Sequence, residues 1–230
     1  MNITNDKQAR VIGVIALVLA VVGLSLGFAA FTNTLTIKSS AEVKPNADVF
    51  NVDFSKSSDS VVDDDIVPTL NPTGVEGFTA TNAVIDNDNG DAVIKNLHAV
   101  FTEPGQSATY NFFTKNAGEL KAYLKNVTFN NVTGESVTKK CTAKAGENPA
   151  TPALVESACQ GITLTITVGT ESFTSTTARA GFTTATAHDL VKDGSEPVQI
   201  RIAYEAGSAQ ADNGFDVAFG DIVLSYSSNE

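Results

Sequence analysis

Hydrophobic positions along this chain follow two different periods. Val11 to Phe31 is one unbroken apolar run, VIGVIALVLAVVGLSLGFAAF, 21 residues without a charge. At a helical rise of ~1.5 Å per residue it reaches ~31 Å, the thickness of a hydrocarbon core. From Phe31 onward the period changes to two. Apolar residues occupy alternate places in Leu35-Thr36-Ile37, in Phe50-Asn51-Val52-Asp53-Phe54 and in Ala108-Thr109-Tyr110-Asn111-Phe112. The cleanest case is Ile162-Thr163-Leu164-Thr165-Ile166-Thr167-Val168, followed by Val198-Gln199-Ile200-Arg201-Ile202-Ala203-Tyr204. Alternation of this kind predicts strands with one buried and one wet face.

Turn residues divide the strands. Thr79–Ile85 and Ala92–Phe101 flank Asp86-Asn87-Asp88-Asn89-Gly90-Asp91, whose Asn-Gly pair supplies the positive φ of a hairpin turn. Pro104-Gly105 and Asn116-Ala117-Gly118 bracket another strand. Glu119–Lys125 has helix-favouring composition, but Gly118 before it and Val127-Thr128-Phe129 after it predict a strand over Ala122–Phe129. One helix is expected after the apolar run, Pro152–Ala158, with Thr151 as N-cap and Pro152 at its first position. In Phe215–Tyr226 the apolar parity slips at Gly220-Asp221, which reads as a bulge or bend. About ten short strands with one helix predict a mainly β fold, an antiparallel β-sandwich of immunoglobulin-like or jelly-roll type.

The apolar run sets the expected topology. Lys7 and Arg10 flank it on the N-terminal side and hold that end in the cytoplasm. Residues 1–10 are then a cytoplasmic n-region, 11–31 a transmembrane or signal-peptide helix, and 32–230 one extracellular domain. Two fates of the run stay open. It is an uncut membrane anchor, or a signal with h-region Val11–Leu26 and a small-residue exit at Gly27, Ala29 and Ala30. The protein is thus expected in the cell membrane with an exterior C-terminal domain, or secreted to the surface after cleavage.

Charge narrows the partners. The chain carries −11, and residues 1–30 carry a net +1, which leaves −12 on the remainder. Such a surface repels nucleic acid and anionic head groups. The two cysteines, Cys141 and Cys159, lie in the exported part, where thiols are not kept reduced, and are expected to pair. The bridge would contribute about 3 kcal/mol in the chain-entropy model. The two histidines, His98 and His188, are 90 positions apart and show no ligand spacing with the cysteines, so no metal, cofactor or catalytic residue is assigned. The Asp86–Asp91 stretch has its Gly one place early for a calcium loop and Leu97 where a bidentate Glu is needed, so the turn reading is preferred. Asn126-Val127-Thr128 and Asn131-Val132-Thr133 match the glycan-acceptor pattern, which is frequent by chance and irrelevant in most bacteria, so neither is assigned as a site.

One resemblance emerges from two stretches. Gly27-Phe28-Ala29-Ala30-Phe31-Thr32-Asn33-Thr34-Leu35-Thr36-Ile37 and the pair Pro104-Gly105-Gln106-Ser107 … Lys115-Asn116-Ala117-Gly118 resemble the camelysin/TasA-like secreted surface proteins of Gram-positive bacteria. The resemblance implies a sandwich or jelly-roll domain, a place in biofilm matrix fibres, and a donor strand formed by Phe31, Leu35 and Ile37 that completes a neighbour's sheet. Family members have been described as metalloproteases; without a His-Glu-x-x-His motif that activity does not transfer to this chain. The expected function is therefore a non-enzymatic structural protein of the cell surface or extracellular matrix, with the membrane and further copies of itself as partners and no small-molecule substrate identified. The alternatives are a loop-mediated adhesion module and a pilin-like filament subunit. Against the pilin reading, no fifth-position Glu enters the run.

Overall fold

The computed structural model describes residues 49–62, 64–87, 92–146, 149–175, 179–180 and 188–228. The apolar run, its exit at Gly27, Ala29 and Ala30, and the strand expected over Phe31–Ile37 lie outside the described residues. Within them, no helix is long and apolar enough to cross a membrane.

Among the described residues the chain is mainly β, and every strand pairing is antiparallel. Its first half holds β1 (Val52–Ser55), β2 (Thr69–Asn71), β3 (Thr79–Ala80), β4 (Val84–Asp86), β5 (Ala92–Lys95), β6 (His98–Phe101), β7 (Ser107–Asn116) and β8 (Ala122–Phe129). After β9 (Lys139–Ala143) comes the helix α1 (Pro152–Gln160). The second half continues with β10 (Ile162–Val168), β11 (Glu171–Thr174), β12 (Arg179–Ala180), β13 (Asp189–Leu190), β14 (Ser195–Tyr204), β15 (Phe215–Phe219) and β16 (Ile222–Ser227).

The strands form three sheets. The first has the order β1-β7-β14-β10-β11, with β2 sharing an edge of β7; the second runs β12-β8-β16-β5-β4, with β13 also on β8. The third is β3-β6-β15-β9. Alternation explains the first sheet. Ile162, Leu164, Ile166 and Val168 of β10 stand beside Val198, Ile200, Ile202 and Tyr204 of β14, and all eight are buried. Their half-buried parity carries Thr163, Thr165 and Thr167. Residues from all three sheets and from α1 enter one continuous apolar core. A smaller cluster of Val52, Ala122 and Leu190, with Phe50 and Tyr226 against it, lies apart.

Ala122–Phe129 is a strand, as the flanking residues require. Its buried parity switches from Ala122 and Leu124 to Val127 and Phe129, and the register with β16 shifts between Ser225 and Tyr226 to absorb the extra residue. Three expected strands are each divided between sheets. Thr79–Ile85 supplies β3 to the third sheet and the start of β4 to the second. Ala92–Phe101 breaks at Asn96, whose φ of 61° turns the chain from β5 in the second sheet to β6 in the third. The slip at Gly220-Asp221 is likewise no bulge: β15 belongs to the third sheet and β16 to the second. Gly220 permits this crossing because a Cβ there would sit 2.1 Å from the Asn130 carbonyl oxygen.

Candidate functional site

The first-sheet strands run between two ends of the domain that are built differently. At one end β7 terminates in Asn116, which is fully buried. Its Nδ2 donates to the carbonyls of Leu120 (2.7 Å) and Leu190 (2.9 Å), and its Oδ1 accepts from Gly118 N (3.0 Å). Its backbone N donates to Gly194 O (2.9 Å), and its backbone O accepts from Asp193 N (3.0 Å). One side chain therefore holds the β7–β8 turn to the β13–β14 turn. Residues 49–51 close over the same spot. Leu120 N donates to Val49 O (2.9 Å), and a Cβ on Gly118 would come within 2.6 Å of Asn51 N. Three of the domain's exposed large apolar side chains belong to these segments: Val49 at 40%, Leu120 at 44% and Val191 at 59%. Lys121–Asp189 and Lys192–Glu119 ion pairs flank them. The Lys121 hydrogen bond and charge hold the Asp189 carboxyl below the usual range, and the Glu119 carboxylate raises Lys192 in the same way.

Beneath this surface the end remains polar. Lys115 is buried, and its Nζ donates to the carbonyls of Ser58 (3.2 Å) and Asp193 (3.1 Å). Asp53, its cross-strand neighbour on β1, accepts from Asn51 Nδ2 at 2.9 Å. His188, directly before β13, has a side chain only 3% exposed. Its Nδ1 lies 3.0 Å from Glu196 Oε1 on β14, and its Nε2 lies 3.1 Å from Glu171 Oε2 on β11. Because β13 pairs with β8, this histidine joins the second sheet to the first. Glu196 is seated against Gly169, where a Cβ would meet its Oε1 at 2.2 Å. Next to the triad the Tyr226 hydroxyl is buried without a hydrogen-bond partner. Burial pushes it well above the ordinary tyrosine value; Thr114 acts to lower it and the Glu196 charge to raise it, both more weakly.

These groups pin strands together. The two carboxylates approach opposite nitrogens of the His188 ring, so the three side chains do not converge on a point where a cation would sit. Among the described residues no group of three or more His, Cys, Asp or Glu side chains is arranged to hold a metal ion. Both ring nitrogens are engaged, which leaves neither to act as a general base in this arrangement.

The opposite end is closed by a covalent bond and aromatic packing. Cys141 on β9 and Cys159 on α1 form a disulfide with a Cα–Cα distance of 6.0 Å. Thr151 caps α1 by accepting from Leu154 N, and Val155 and Ala158 carry the helix into the core. Lys139 Nζ donates to the carbonyls of Cys159 (2.7 Å) and Ile162 (2.8 Å), and burial lowers its pKa. A groove of about 540 Å³ lies between the two elements, with Ala143, Pro152, Val155 and the disulfide among its walls. Beside it Tyr204 stacks edge-on to Phe215 at 5.2 Å and to Phe101 at 5.9 Å, and its hydroxyl donates to Ala209 O.

Comparison with known proteins adds no relative: no family model, no curated protein and no solved structure matches the chain.

Of the residues singled out in the sequence, Cys141 and Cys159 are brought together as expected. Gly27, Ala29, Ala30, Phe31, Leu35 and Ile37 lie outside the described residues. His98 pairs with Asp216 at 3.3 Å on the third sheet, far in the topology from His188. The second resemblance stretch falls at the two ends of β7. Gln106 Oε1 accepts from Thr102 N (2.8 Å), and Gly105 N donates to Tyr204 O (2.7 Å), while Asn116 and Gly118 form the pin already described. The Glu171–His188–Glu196 triad was missed. Its members lie on three separate segments, and only the inward parity of Glu196 with Val198 and Ile200 hinted at burial.

Proposed function

We propose that this chain is a non-enzymatic structural protein of the cell surface or extracellular matrix, exported through its N-terminal apolar segment and able to assemble into fibres. In this reading the described domain is an antiparallel β-sandwich of immunoglobulin-like or jelly-roll type, related to the camelysin/TasA-like surface proteins. The observation that carries export is the Cys141–Cys159 disulfide, in a chain whose N-terminal sequence pairs basic residues with an uncharged apolar run. Disulfides form and persist outside the reducing cytoplasm. A structural role is supported by where the polar chemistry goes. Asn116, Lys115 and His188 spend their hydrogen bonds on tying strands and turns together.

Fractionation of cells producing the full chain, followed by intact mass and N-terminal sequencing, tests this. The chain is expected outside the cytoplasm, with the disulfide formed. A mature start near Ala30 gives a released subunit, and a retained Met1 region gives a tethered domain. Electron microscopy of sheared material is expected to show filaments. Reduced protein confined to the cytoplasm would overturn the reading, and exported protein that stays monomeric would leave the adhesion alternative in its place.

A further inference from the structure

We propose that the Glu171–His188–Glu196 joint is a proton-operated latch between the two larger sheets, closed when the His188 ring carries a proton on both nitrogens and loosened when it carries one. The geometry asks for two protons. Nδ1 lies 3.0 Å from Glu196 Oε1, and Nε2 lies 3.1 Å from Glu171 Oε2. An ionised carboxylate only accepts, so each contact is a hydrogen bond when the nitrogen facing it bears a hydrogen. A neutral imidazole has a single N–H. It serves one carboxylate and turns a lone pair toward the other. In an enclosed site that second contact changes from attraction to repulsion.

The two glutamates face inward. Glu171 shares its parity with the buried Phe173, and Glu196 shares its own with Val198 and Ile200. Beyond Glu196 stands the Tyr226 hydroxyl of β16, which feels the Glu196 charge. Asp189, next to His188, is paired with Lys121. Lys115 and Asp53 lie on the opposite parity of the first sheet, because it is Thr114 that pairs with Glu196. Arg179 of β12 pairs with Val127, farther along β8, and β10 carries no titratable residue.

The latch joins elements that would otherwise part easily. His188 O accepts from Leu124 N of β8 at 3.2 Å, which fixes the ring on the second sheet. Its partner β11 is the edge strand of the first sheet, and in the turn before it Gly169 N donates to Pro197 O at 2.9 Å. Closing the latch takes up a proton, so closure is favoured as pH falls. The latch is closed on the acid side of the ordinary histidine value, about 6.5, and loosens as pH rises past it. Below the ordinary glutamate value, about 4.3, the carboxylates are themselves protonated and closure is lost again. One proton changes the opening equilibrium by up to about tenfold per pH unit. None of this depends on where the domain works.

The test uses the full-length, disulfide-bonded chain. Nitrogen-15 shifts of the histidine rings count the protons on each nitrogen, and hydrogen exchange at Leu124 and Gly169, corrected for intrinsic rates, reads the opening. At about pH 5.5 both His188 nitrogens are expected to be protonated and both amides protected. By about pH 8 one ring proton is expected to be gone and exchange at both amides to be at least about tenfold faster. Glu171→Gln is expected to abolish this dependence while keeping the protection, since the amide can donate to the lone pair of a neutral ring. His188→Gln is expected to exchange fast at both pH values, and His98→Gln to behave as the parent. Exchange that does not change with pH in the parent overturns the latch, as does a singly protonated His188 at about pH 5.5 with both amides protected. A dependence that survives Glu171→Gln, or that vanishes with His98→Gln, also overturns it.

Discussion

The two ends of the first sheet solve the same closure problem by different means. At the start of β7 the chain is closed by Phe101, Tyr204 and Phe215 and by a helix that the Cys141–Cys159 bond fastens to β9. At the finish of β7 it is closed by Asn116, Lys115 and the Glu171–His188–Glu196 triad, all bonded to backbone or to one another. Apolar burial is non-directional and scales with area, so the aromatic end contributes stability without fixing any single contact. Hydrogen bonds exchange against water and contribute little net, yet they are expensive to break once buried. The polar end therefore specifies which turns meet, and the aromatic end supplies most of the free energy that keeps them folded.

Substitutions at each end test this division. The largest effect is expected from Phe215→Ala, which removes a fully buried ring contacting Tyr204 and Phe101; chemical denaturation should register a loss of about 3–5 kcal/mol. Replacing both Cys141 and Cys159 by Ser should cost about 3 kcal/mol, seen as a lower denaturation midpoint than that of the oxidised chain. Asn116→Ala should cost about 2–3 kcal/mol, since it strands the buried groups that its amide satisfies. Its signature should also be local. Hydrogen exchange should quicken at Leu120 and Gly194 and stay unchanged in β15. Uniform quickening would mean that Asn116 serves global stability and does not specify the turns.

Much of the aromatic end was legible in the sequence. The Thr and apolar positions of Ile162–Val168 alternate without a break because one face is wet and the other buried, and the strand is found over those residues. Thr151-Pro152 announced the start of α1, and the pairing expected of the two cysteines is found. The polar end was not legible. Asn116 reads as a turn residue in any sequence, and nothing local tells that its amide spans to Leu190, 74 positions away. The parity slip at Gly220-Asp221 was visible, but its cause was not: a bulge within one sheet and a crossing between two give the same alternation. Only the partners, Phe101 and Ala143 for Phe215 but Ile94 and Phe129 for Ile222, distinguish them.

Alkaline titration reads both ends in one experiment. Burial raises Tyr110, Tyr204 and Tyr226 above their ordinary value. The unfolded chain ionises these groups at about pH 10, so the stability they contribute is complete below that pH and is lost as pH rises toward the folded values. Lys139 acts in the opposite sense. Its folded value is lowered, so the unfolded chain holds the proton more readily, and stability rises as pH climbs toward the ordinary lysine value. Three tyrosines outweigh one lysine, and stability should fall above about pH 10. Steady or rising stability there would show that the hydroxyls are not desolvated.

The smallest effect separates the ends most sharply, because one chemical change is made at each. Tyr204 donates its hydroxyl to Ala209 O, whereas the buried Tyr226 hydroxyl has no hydrogen-bond partner. Removing a donor that is satisfied leaves a stranded acceptor, and Tyr204→Phe should cost about 1 kcal/mol. Removing one that is buried and unsatisfied deletes a desolvation penalty, so Tyr226→Phe should be neutral or stabilising by up to about 1 kcal/mol. The two variants are compared at neutral pH by denaturant midpoint at constant slope. Equal losses at both positions would mean that Tyr226 finds a water or a side chain in solution, and the polar end would then be as fully satisfied as the aromatic one. A gain at Tyr226 alone would place the remaining strain of this domain beside His188, where the two larger sheets are pinned together.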